Sequence, residues 1–308
     1  MGPRSIVLLA VLAALAVVGP WLAPYDPTQA FRGYWHAPPM LPRVSAGLAV
    51  HPVILVDRLD QRFEVDRSRT VPLPWGRGDD DPVFLLGADR SGRDVLSRLL
   101  AGARVSVGLA LVAVVLVTVL GLTLGTLAGV SGGWVDEAIM RGADVIVALP
   151  VLYVIVALRA ALPLVLDAMT VFVLMCALLA LVGWPFVARG VRAIVARECE
   201  RDYVQAARAL GAGRGRVLVR HLLPACTGHV AVQASVLLPA FVLAEASLSF
   251  LGLGFPDALP TWGTMLREAA DVNELTRFPW TLAPAAAIVA VTLGTNLALQ
   301  PREGIRQP

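Results

Sequence analysis

Lysine is absent from this sequence, because all 26 basic residues among its 308 are arginine. The nucleotide-binding P-loop ends in Gly-Lys-Ser/Thr, and its lysine contacts the phosphates of the nucleotide. A chain without lysine therefore cannot hydrolyse ATP through a P-loop. The zinc-protease pattern H-E-x-x-H is also missing, and no set of residues in the sequence predicts that this chain is an enzyme.

Charged residues are scarce as well. They make up 16% of the chain, against about 25% in soluble domains, while 57% of the residues are hydrophobic. Three cysteines occur without C-x-x-C spacing and four histidines without ligand spacing, so the sequence predicts no disulfide framework, no metal site and no cofactor bound by this chain. The net charge of +3 is too small to indicate nucleic-acid binding. We therefore predict an integral protein of the lipid bilayer.

Six apolar runs reach or approach the roughly 20 residues that a membrane-spanning helix needs. They cover residues 6–23, 105–130, 143–162, 168–188, 229–251 and 280–299. The predicted fold class is an all-α integral membrane protein with six transmembrane helices. A cleaved signal peptide is the alternative for the first run, and the lack of a small-x-small site after it favours a retained helix.

Arginine is concentrated between the fourth and fifth runs. Because loops rich in positive charge stay in the cytoplasm, residues 189–228 are predicted to lie inside, with both chain termini also cytoplasmic. Residues 24–104 then lie outside as a long loop, with extended pieces predicted at 51–57 and 71–75. The eight arginines are Arg189, Arg192, Arg197, Arg201, Arg208, Arg214, Arg216 and Arg220.

The arginine-rich segment, residues 196–224, contains a predicted short helix. Asp202 is its predicted N-cap, and Gly211 and Gly213 are predicted to end it. A second short helix is predicted over about 216–221, before Pro224. The apolar face of the first helix, at helical spacing, consists of Tyr203, Ala206, Ala207 and Leu210.

This segment resembles the EAA loop of permease subunits of bacterial ABC importers. That loop reads E-A-A, three residues, G, nine residues, I-x-L-P, and residues 205–207, Gly211 and 221–224 match its spacing throughout. Gln205 stands in place of Glu and His221 in place of Ile. The resemblance implies contact with a cytoplasmic ATPase. The residues implied in this coupling are Tyr203, Gln205, Ala206, Ala207, Leu210, Gly211, Leu223 and Pro224.

A second string, residues 87–98, resembles the G-T-D-x-x-G-R-D-x-x-S-R segment of the OppC/DppC type of permease, which serves dipeptide, oligopeptide and nickel importers. Its signature residues here are Asp89, Gly92, Arg93 and Asp94, and Ala88 stands in place of Thr. Three further strings resemble the same family, at 131–144, 183–185 and 244–254. The resemblance covers about residues 84–300. Residues 31–84 exceed the family core, and either a solvated spacer or a docking role fits them.

The resemblance implies a type I ABC importer permease fold in the inner cell membrane. Such a subunit forms half of a translocation pore for peptides or related small solutes, beside a homologous second permease. Two cytoplasmic ATP-binding subunits, which bind ATP and Mg, and an extracytoplasmic solute-binding protein complete the importer. The implied domains are a first transmembrane helix at 1–23, an extracytoplasmic loop at 24–104, the permease core at 105–300 and a cytoplasmic tail at 301–308.

Glu245 is the ionisable residue placed deepest in an apolar run. A lipid-exposed charge costs ~2–3 kcal/mol on insertion scales, so we predict that Glu245 faces the translocation path or the partner permease. Asp144 and Arg159 are predicted as helix-end groups reaching the interface. An ion-coupled secondary transporter is an alternative function, although it predicts paired acidic residues at the midplane. A membrane-embedded enzyme, the third class, needs a polar catalytic pair within the spans.

Overall fold

The computed structural model describes residues 3–44, 48–58, 61–72, 82–150, 153, 157 and 166–299. The chain divides into two compact units. The first comprises Leu109–Phe241 with the described parts of both chain ends, and the second comprises Ala10–Gly108 and Val242–Val291. Each unit is described here by itself.

Most of the described residues are helical, and short strands lie between the first and second α-helices of the chain. The strands are β1 (Arg43–Val44), β2 (Leu48–Val50), β3 (Val53–Asp57), β4 (Arg62–Val65) and β5 (Val71–Pro72). Two 3₁₀ turns lie at Gly19–Trp21 and Pro279–Leu282, and a π turn lies at Leu218–Leu222. The helices are α1 (Pro3–Val18), α2 (Val95–Ser131), α3 (Gly133–Ala148), α4 (Ala168–Cys199), α5 (Asp202–Ala209), α6 (Arg214–Val217), α7 (Leu223–Phe250), α8 (Trp262–Glu268), α9 (Val272–Arg277) and α10 (Ala283–Leu299).

Within the described residues, four helical stretches are long and apolar enough to cross a membrane. They are Val95–Ser131, Ala168–Cys199, Arg214–Phe250 and Pro279–Leu297. The first two contain the predicted second and fourth spans, and the last two contain all but one or two residues of the predicted fifth and sixth spans. The first predicted span corresponds to α1, whose 16 residues fall short of the roughly 20 needed to cross. The third, 143–162, starts on α3, but half of it, including Arg159, lies outside the described residues. The count of six spans therefore stays a prediction.

Two helices continue past the ends of the apolar runs at 105–130 and 168–188. α2 begins at Val95 rather than near residue 105, and α4 continues to Cys199. Arg189 and Arg192 consequently lie on a helix and not in a loop. Hydropathy marks only the part of a helix suited to lipid, whereas arginine, a good helix former, lets the helical hydrogen bonds continue into water.

The string at residues 131–144, between the second and third apolar runs, is almost entirely helical. Gly132 and Gly133 have φ values of +60° and +54°, a left-handed conformation that glycine adopts without steric cost, and α3 starts at once. α3 then packs along α4 through two ion pairs. Arg192 Nε donates to Asp136 Oδ1 at 2.8 Å, and Arg189 Nη2 donates to Asp144 Oδ1 at 2.6 Å.

The all-α prediction fails for the segment that precedes α2. Strands β1, β2 and β5 form an antiparallel sheet in the order β1-β2-β5, and β3 pairs with β4. β3 and β5 confirm the predicted extended pieces, although residues 73–75 lie outside the described part. Aromatic rings form the core here, with Phe31 edge-on to Phe84 at 5.4 Å and to Tyr25 at 4.9 Å between ring centroids. The described part of this segment folds around its own core and is not a solvated spacer.

A glycine stripe on α2 allows close approach to α4. Gly121, Gly125 and Gly129 recur every four residues, so they share one face of the helix. A Cβ atom added at Gly125 would lie 2.5 Å from the carbonyl oxygen of Ala188, closer than any real contact. Small residues of this kind let membrane helices bring their backbones together, where packing replaces the hydrophobic driving force that lipid does not supply.

We expect alanine substitutions at two glycines of α2 to shift stability in opposite directions. Gly125→Ala should lower the thermal unfolding midpoint of the detergent-purified chain, because overpacking typically costs ~1–3 kcal/mol. Gly108→Ala is the matched control, since a Cβ atom there meets nothing within 4 Å and only the gain in helix propensity, roughly 1 kcal/mol, remains. Equal midpoints for the two variants would contradict the close packing.

Candidate functional site

The arginine-rich segment begins where α4 ends. α5 starts at Asp202, and Arg201 occupies the N-cap position without a side-chain cap. The prediction of Asp202 as N-cap is therefore wrong by one residue. Its carboxylate lies in the first turn instead, where the helix dipole favours negative charge without a direct cap.

Gly211 ends α5 as predicted. Its φ is +86°, and two backbone hydrogen bonds of 3.0 Å close the end, from Ala212 N to Ala207 O and from Gly211 N to Arg208 O. This pair of bonds defines a Schellman motif, which satisfies carbonyls that the helix leaves unpaired. Gly213 does not belong to this end, contrary to the prediction, because it precedes the first residue of α6.

The chain does not break at Pro224, contrary to the prediction of a separate helix over 216–221. α6, the π turn and α7 form one continuous helical stretch, Arg214–Phe250. Proline has no N–H to donate to the carbonyl four residues earlier. The wide π turn just before it, closed by a bond from Leu223 N–H to Leu218 O, carries the helix past this gap. Leu223 and Pro224 thus begin α7.

Most of the predicted apolar face of α5 is left uncovered by the rest of the chain. Leu210 is 89% exposed and Tyr203 46%, while Ala206 is exposed and Ala207 half-buried. Val204, on another face, is the fully buried residue that anchors α5. Spacing in the sequence placed these residues on one face of the helix. It could not show which side of a short helix the chain itself would cover.

Two positions that differ from the E-A-A pattern contact their own chain. Gln205 Nε2 donates to the carbonyl oxygen of Glu200 at 3.3 Å. The ring of His221 lies 5.5 Å from that of Tyr203, whose hydroxyl donates a short hydrogen bond to Glu198. That hydrogen bond favours the neutral phenol and raises the pKa of Tyr203. Tyr203 therefore ties α5 to the end of α4.

In the second unit, Asp89 of the signature string is the centre of a hydrogen-bonded turn. Its Oδ1 accepts from the backbone N–H groups of Ser91 at 2.7 Å and Arg93 at 3.0 Å. Its Oδ2 accepts from Arg93 Nε at 2.8 Å and from Arg98. Gly92 has φ +78°, and a Cβ atom there would lie 2.5 Å from the carbonyl oxygen of Phe31, so the turn requires glycine.

Glu268 of α8 completes a buried four-charge network. Arg98 Nη1 and Nη2 donate to its carboxylate at 2.6 and 3.0 Å, and Arg93 Nη2 donates at 2.9 Å. Arg98 is only 2% exposed, so its charge requires these partners. Sequence reasoning singled out neither Arg98 nor Glu268. Arg98 is the last residue of the signature string, so the sequence could have indicated it. Glu268 is 170 residues further along the chain, and only folding brings it close to Arg98.

Asp94, the last of the four signature residues, caps α2. Its Oδ2 accepts hydrogen bonds from Ser97 N at 2.8 Å and Ser97 Oγ at 2.6 Å. Burial disfavours the charged form more than these bonds favour it, and it raises the pKa of Asp94 to about 6. The signature string therefore positions the start of α2 and joins it to α8.

Glu245 is fully buried in the second unit. Its Oε1 accepts a hydrogen bond of 2.8 Å from the Ser249 hydroxyl, and Ser106 and Thr261 lie beside the same carboxyl group. Ser106 Oγ in turn accepts from the backbone N–H of Trp262 at 3.1 Å. The carboxyl group thus lies where α2, α7 and the start of α8 meet. Its role in the translocation path or at a partner stays a prediction.

Comparison with known protein families decides the class of this chain. Residues 121–300 match the model of the binding-protein-dependent transport system inner membrane component. Residues 5–39 match the N-terminal TM domain of oligopeptide transport permease C. The first match alone covers more than half of the chain. This chain belongs to that family of transport components.

Individual relatives agree with the family match. The di/tripeptide transport system permease protein DppC of Pseudomonas aeruginosa is 36% identical over 299 residues, which cover 96% of this chain and 84% of the relative. The oligopeptide transport system permease protein OppC of Bacillus subtilis is 36% identical over 211 residues, 67% of this chain and 65% of the relative. A chain of the MetNI methionine ABC transporter, solved in inward-facing conformations, matches with TM-score 0.47 and 16% identity, over 65% of this chain and 94% of that one.

The family decides between the functions that the sequence left open. This protein is a permease subunit of an ABC importer and a multi-pass membrane protein, rather than an ion-coupled secondary transporter or a membrane-embedded enzyme. ATP hydrolysis in such systems belongs to separate ATPase subunits. The prediction of a non-enzymatic transport subunit is confirmed by these relatives.

We expect Glu268→Ala to destabilise the permease strongly. Removing this carboxylate leaves Arg98 and Arg93 with one acidic partner between them, and breaking a buried ion pair typically costs ~3–5 kcal/mol. Glu137→Ala is the control, because it removes a carboxylate from the exposed pair with Arg141, where the expected cost is ~0–1 kcal/mol. Thermal unfolding of both purified variants measures the difference. A loss for Glu268→Ala no larger than that of the control would refute the network.

Proposed function

We propose that this permease forms half of the translocation pore of an importer for peptides or related small solutes. The relatives named as dipeptide, tripeptide and oligopeptide permeases support this choice of substrate class. The proposed assembly adds a homologous second permease, two cytoplasmic subunits that bind ATP and Mg, and an extracytoplasmic solute-binding protein. This chain contributes no cofactor of its own to the assembly.

The proposed topology has six spans with both termini in the cytoplasm of the cell. Residues 189–228 then lie inside and residues 24–104 outside. The concentration of arginine at the end of α4 and in the segment after it supports this orientation. The proposed domains remain a first span at 1–23, an outer segment at 24–104, a permease core at 105–300 and a tail at 301–308, the last lying outside the described residues.

The observation that carries the proposed mechanism is the exposed small face of α5. We place α5 in a groove of a cytoplasmic ATPase, because a face of alanine lets a second backbone approach closely. The turn at Gly211 and the start of α7 at Leu223 and Pro224 then transmit the motion. The full proposed coupling set is Tyr203, Gln205, Ala206, Ala207, Leu210, Gly211, Leu223 and Pro224.

The connections of α5 would let it transmit motion to two long helices. At one end the Tyr203–Glu198 hydrogen bond links α5 to α4, and at the other the continuous stretch Arg214–Phe250 follows directly. A displacement of α5 by an ATPase would therefore act on two long helices together. We propose that ATP-driven closure moves them as rigid bodies and switches the pore between outward and inward access.

The signature string, Asp89, Gly92, Arg93 and Asp94, has a proposed supporting role on the outer side. Its ion pairs with Arg98 and Glu268 hold the folded outer segment against the start of α2 and against α8. We propose that this keeps the outer segment in a single arrangement, which a solute-binding protein needs in order to dock reproducibly.

Ala206→Trp is expected to weaken the coupling between the permease and the ATPase. Ala206 is exposed, so its own chain accommodates the ring, whereas a tight contact with an ATPase would be overpacked by ~1–3 kcal/mol. Binding-protein-stimulated ATPase activity and substrate uptake in proteoliposomes should both fall about fivefold or more at equal complex yield.

Ala209→Trp is the matched control for this experiment. It makes the same change at another exposed position of the same helix. At 100° per residue Ala209 is about 60° from Ala206 but about 110° from the middle of the face formed by Tyr203, Ala206, Ala207 and Leu210, so it lies at the edge of that face or beyond it. We expect near wild-type coupling from it. Full stimulation and uptake in Ala206→Trp, or equal losses in both variants, would remove the coupling role of this face while leaving the family unaffected.

Glu245→Gln is expected to reduce uptake while membrane insertion and complex yield stay unchanged. We propose that the carboxylate acts in the translocation path or at the partner permease, and its Oε2 makes no hydrogen bond within the described part of the chain. The amide keeps the volume but has no carboxyl proton to release. Ser247→Ala, an exposed position on α7, serves as control. Unchanged uptake in Glu245→Gln would limit this residue to packing.

A further inference from the structure

A large groove in the first unit is separate from the exposed face of α5. It is an open groove with a volume of about 1030 Å³, lined by α2, by Arg208 of α5, by α6 and the π turn, and by the start of α7. This volume lies at the upper end of the roughly 300–1,000 Å³ typical of ligand pockets. α2 lines it from Val119 to Ser131, about 18 Å along the helix at ~1.5 Å per residue. The groove is therefore long enough for an extended ligand.

The lining of the groove combines apolar side chains with positive charge. Leucines and valines such as Leu122, Leu127 and Leu218 provide most of the surface, and Arg208 and Arg214 also line it. No acidic residue lines the groove among the described residues. Arg208 Nη2 lies 3.6 Å from the sulfur of Cys199, a weak acceptor that supplies no negative charge. An anion would complement these two arginines.

Thr126 provides a second and independent indication of a ligand. Threonine in an apolar helix commonly bonds to the carbonyl four residues earlier, as Thr123 does with Val119. Thr126 is one of the residues that line the groove and is only 8% exposed, and its hydroxyl, which is itself buried, makes no hydrogen bond within the described part of the chain. Buried hydroxyls are normally paired. A ligand with a carbonyl or ester oxygen could accept from it.

We propose that this groove binds one acidic phospholipid. The phosphate lies between Arg208 and Arg214, the ester region lies at Thr126, and an acyl chain extends along Leu122 and Leu127. Basic pockets between transmembrane helices bind acidic lipid head groups from the cytoplasmic leaflet, which carries the negative charge of the membrane. A transmembrane helix of another subunit is the competing occupant, but an apolar helix would leave both arginines without a counter-charge.

Lipid titration followed by native mass spectrometry tests the proposal on the full-length chain in mild detergent. The probes are dioleoyl phosphatidylglycerol, which is anionic, and dioleoyl phosphatidylcholine, which has the same acyl chains and no net charge. We expect tighter binding of phosphatidylglycerol. The double variant Arg208→Ala/Arg214→Ala should weaken it about 30-fold and Thr126→Val about fivefold, while binding of phosphatidylcholine changes little.

The matched control is Arg216→Ala/Arg220→Ala, which removes the same charge from two exposed arginines that do not line the groove. Unchanged phosphatidylglycerol binding in this control supports a site at the groove. Equal losses in both double variants, or equal binding of the two lipids by the wild type, would overturn the proposal. Efficient cross-linking of the variant Leu122→Cys to the second permease in the assembled importer would also overturn it, because that subunit would then occupy the groove.

Discussion

A buried charge that water does not reach needs a partner of opposite charge, and this structure depends on that constraint. Arg98 shows it most clearly. The guanidinium group is almost completely buried, and its partners Asp89 and Glu268 come from a loop before α2 and from a helix far along the chain. The network can form only if both segments reach their places. It therefore determines how the outer segment is joined to α8, and it explains why Gly92 must allow a turn around Asp89.

The unit that contains the arginine-rich segment meets the same constraint in a different way. There the arginines are exposed or pair with carboxylates at the surface, as Arg192 does with Asp136. Close contact comes instead from glycine, since the stripe on α2 lets its backbone approach that of α4. α5, between these helices and α7, uses one buried side chain, Val204, and leaves its apolar face uncovered. A short helix such as α5, which buries one side chain and is connected to the long helices α4 and α7, is suited to being moved.

Family and membrane character could be predicted from the sequence, because motif spacing and apolar length are local properties. The spacing from Gln205 through Gly211 to Pro224 does not depend on the rest of the fold, and neither does the left-handed conformation of Gly211. Helix boundaries were less predictable. Hydropathy measures the preference of a segment for lipid. The backbone hydrogen bonds of a helix continue past the end of the apolar run, as α2 and α4 show. The strands before α2 show only weak alternation of apolar and polar residues, since they pack around an aromatic core of distant residues.

The sequence by itself determined that this chain is an importer permease without an ATPase site, and it located the segment with arginines and alanines that we propose as the coupling element. Only the tertiary structure decided which side of α5 is free, that Glu268 completes the charges of the signature string, and that Thr126 lines a groove with Arg208 and Arg214. The physical reason is sequence distance. Propensity and spacing act within a few turns, but the partner of a buried charge or hydroxyl is chosen by how separate helices pack.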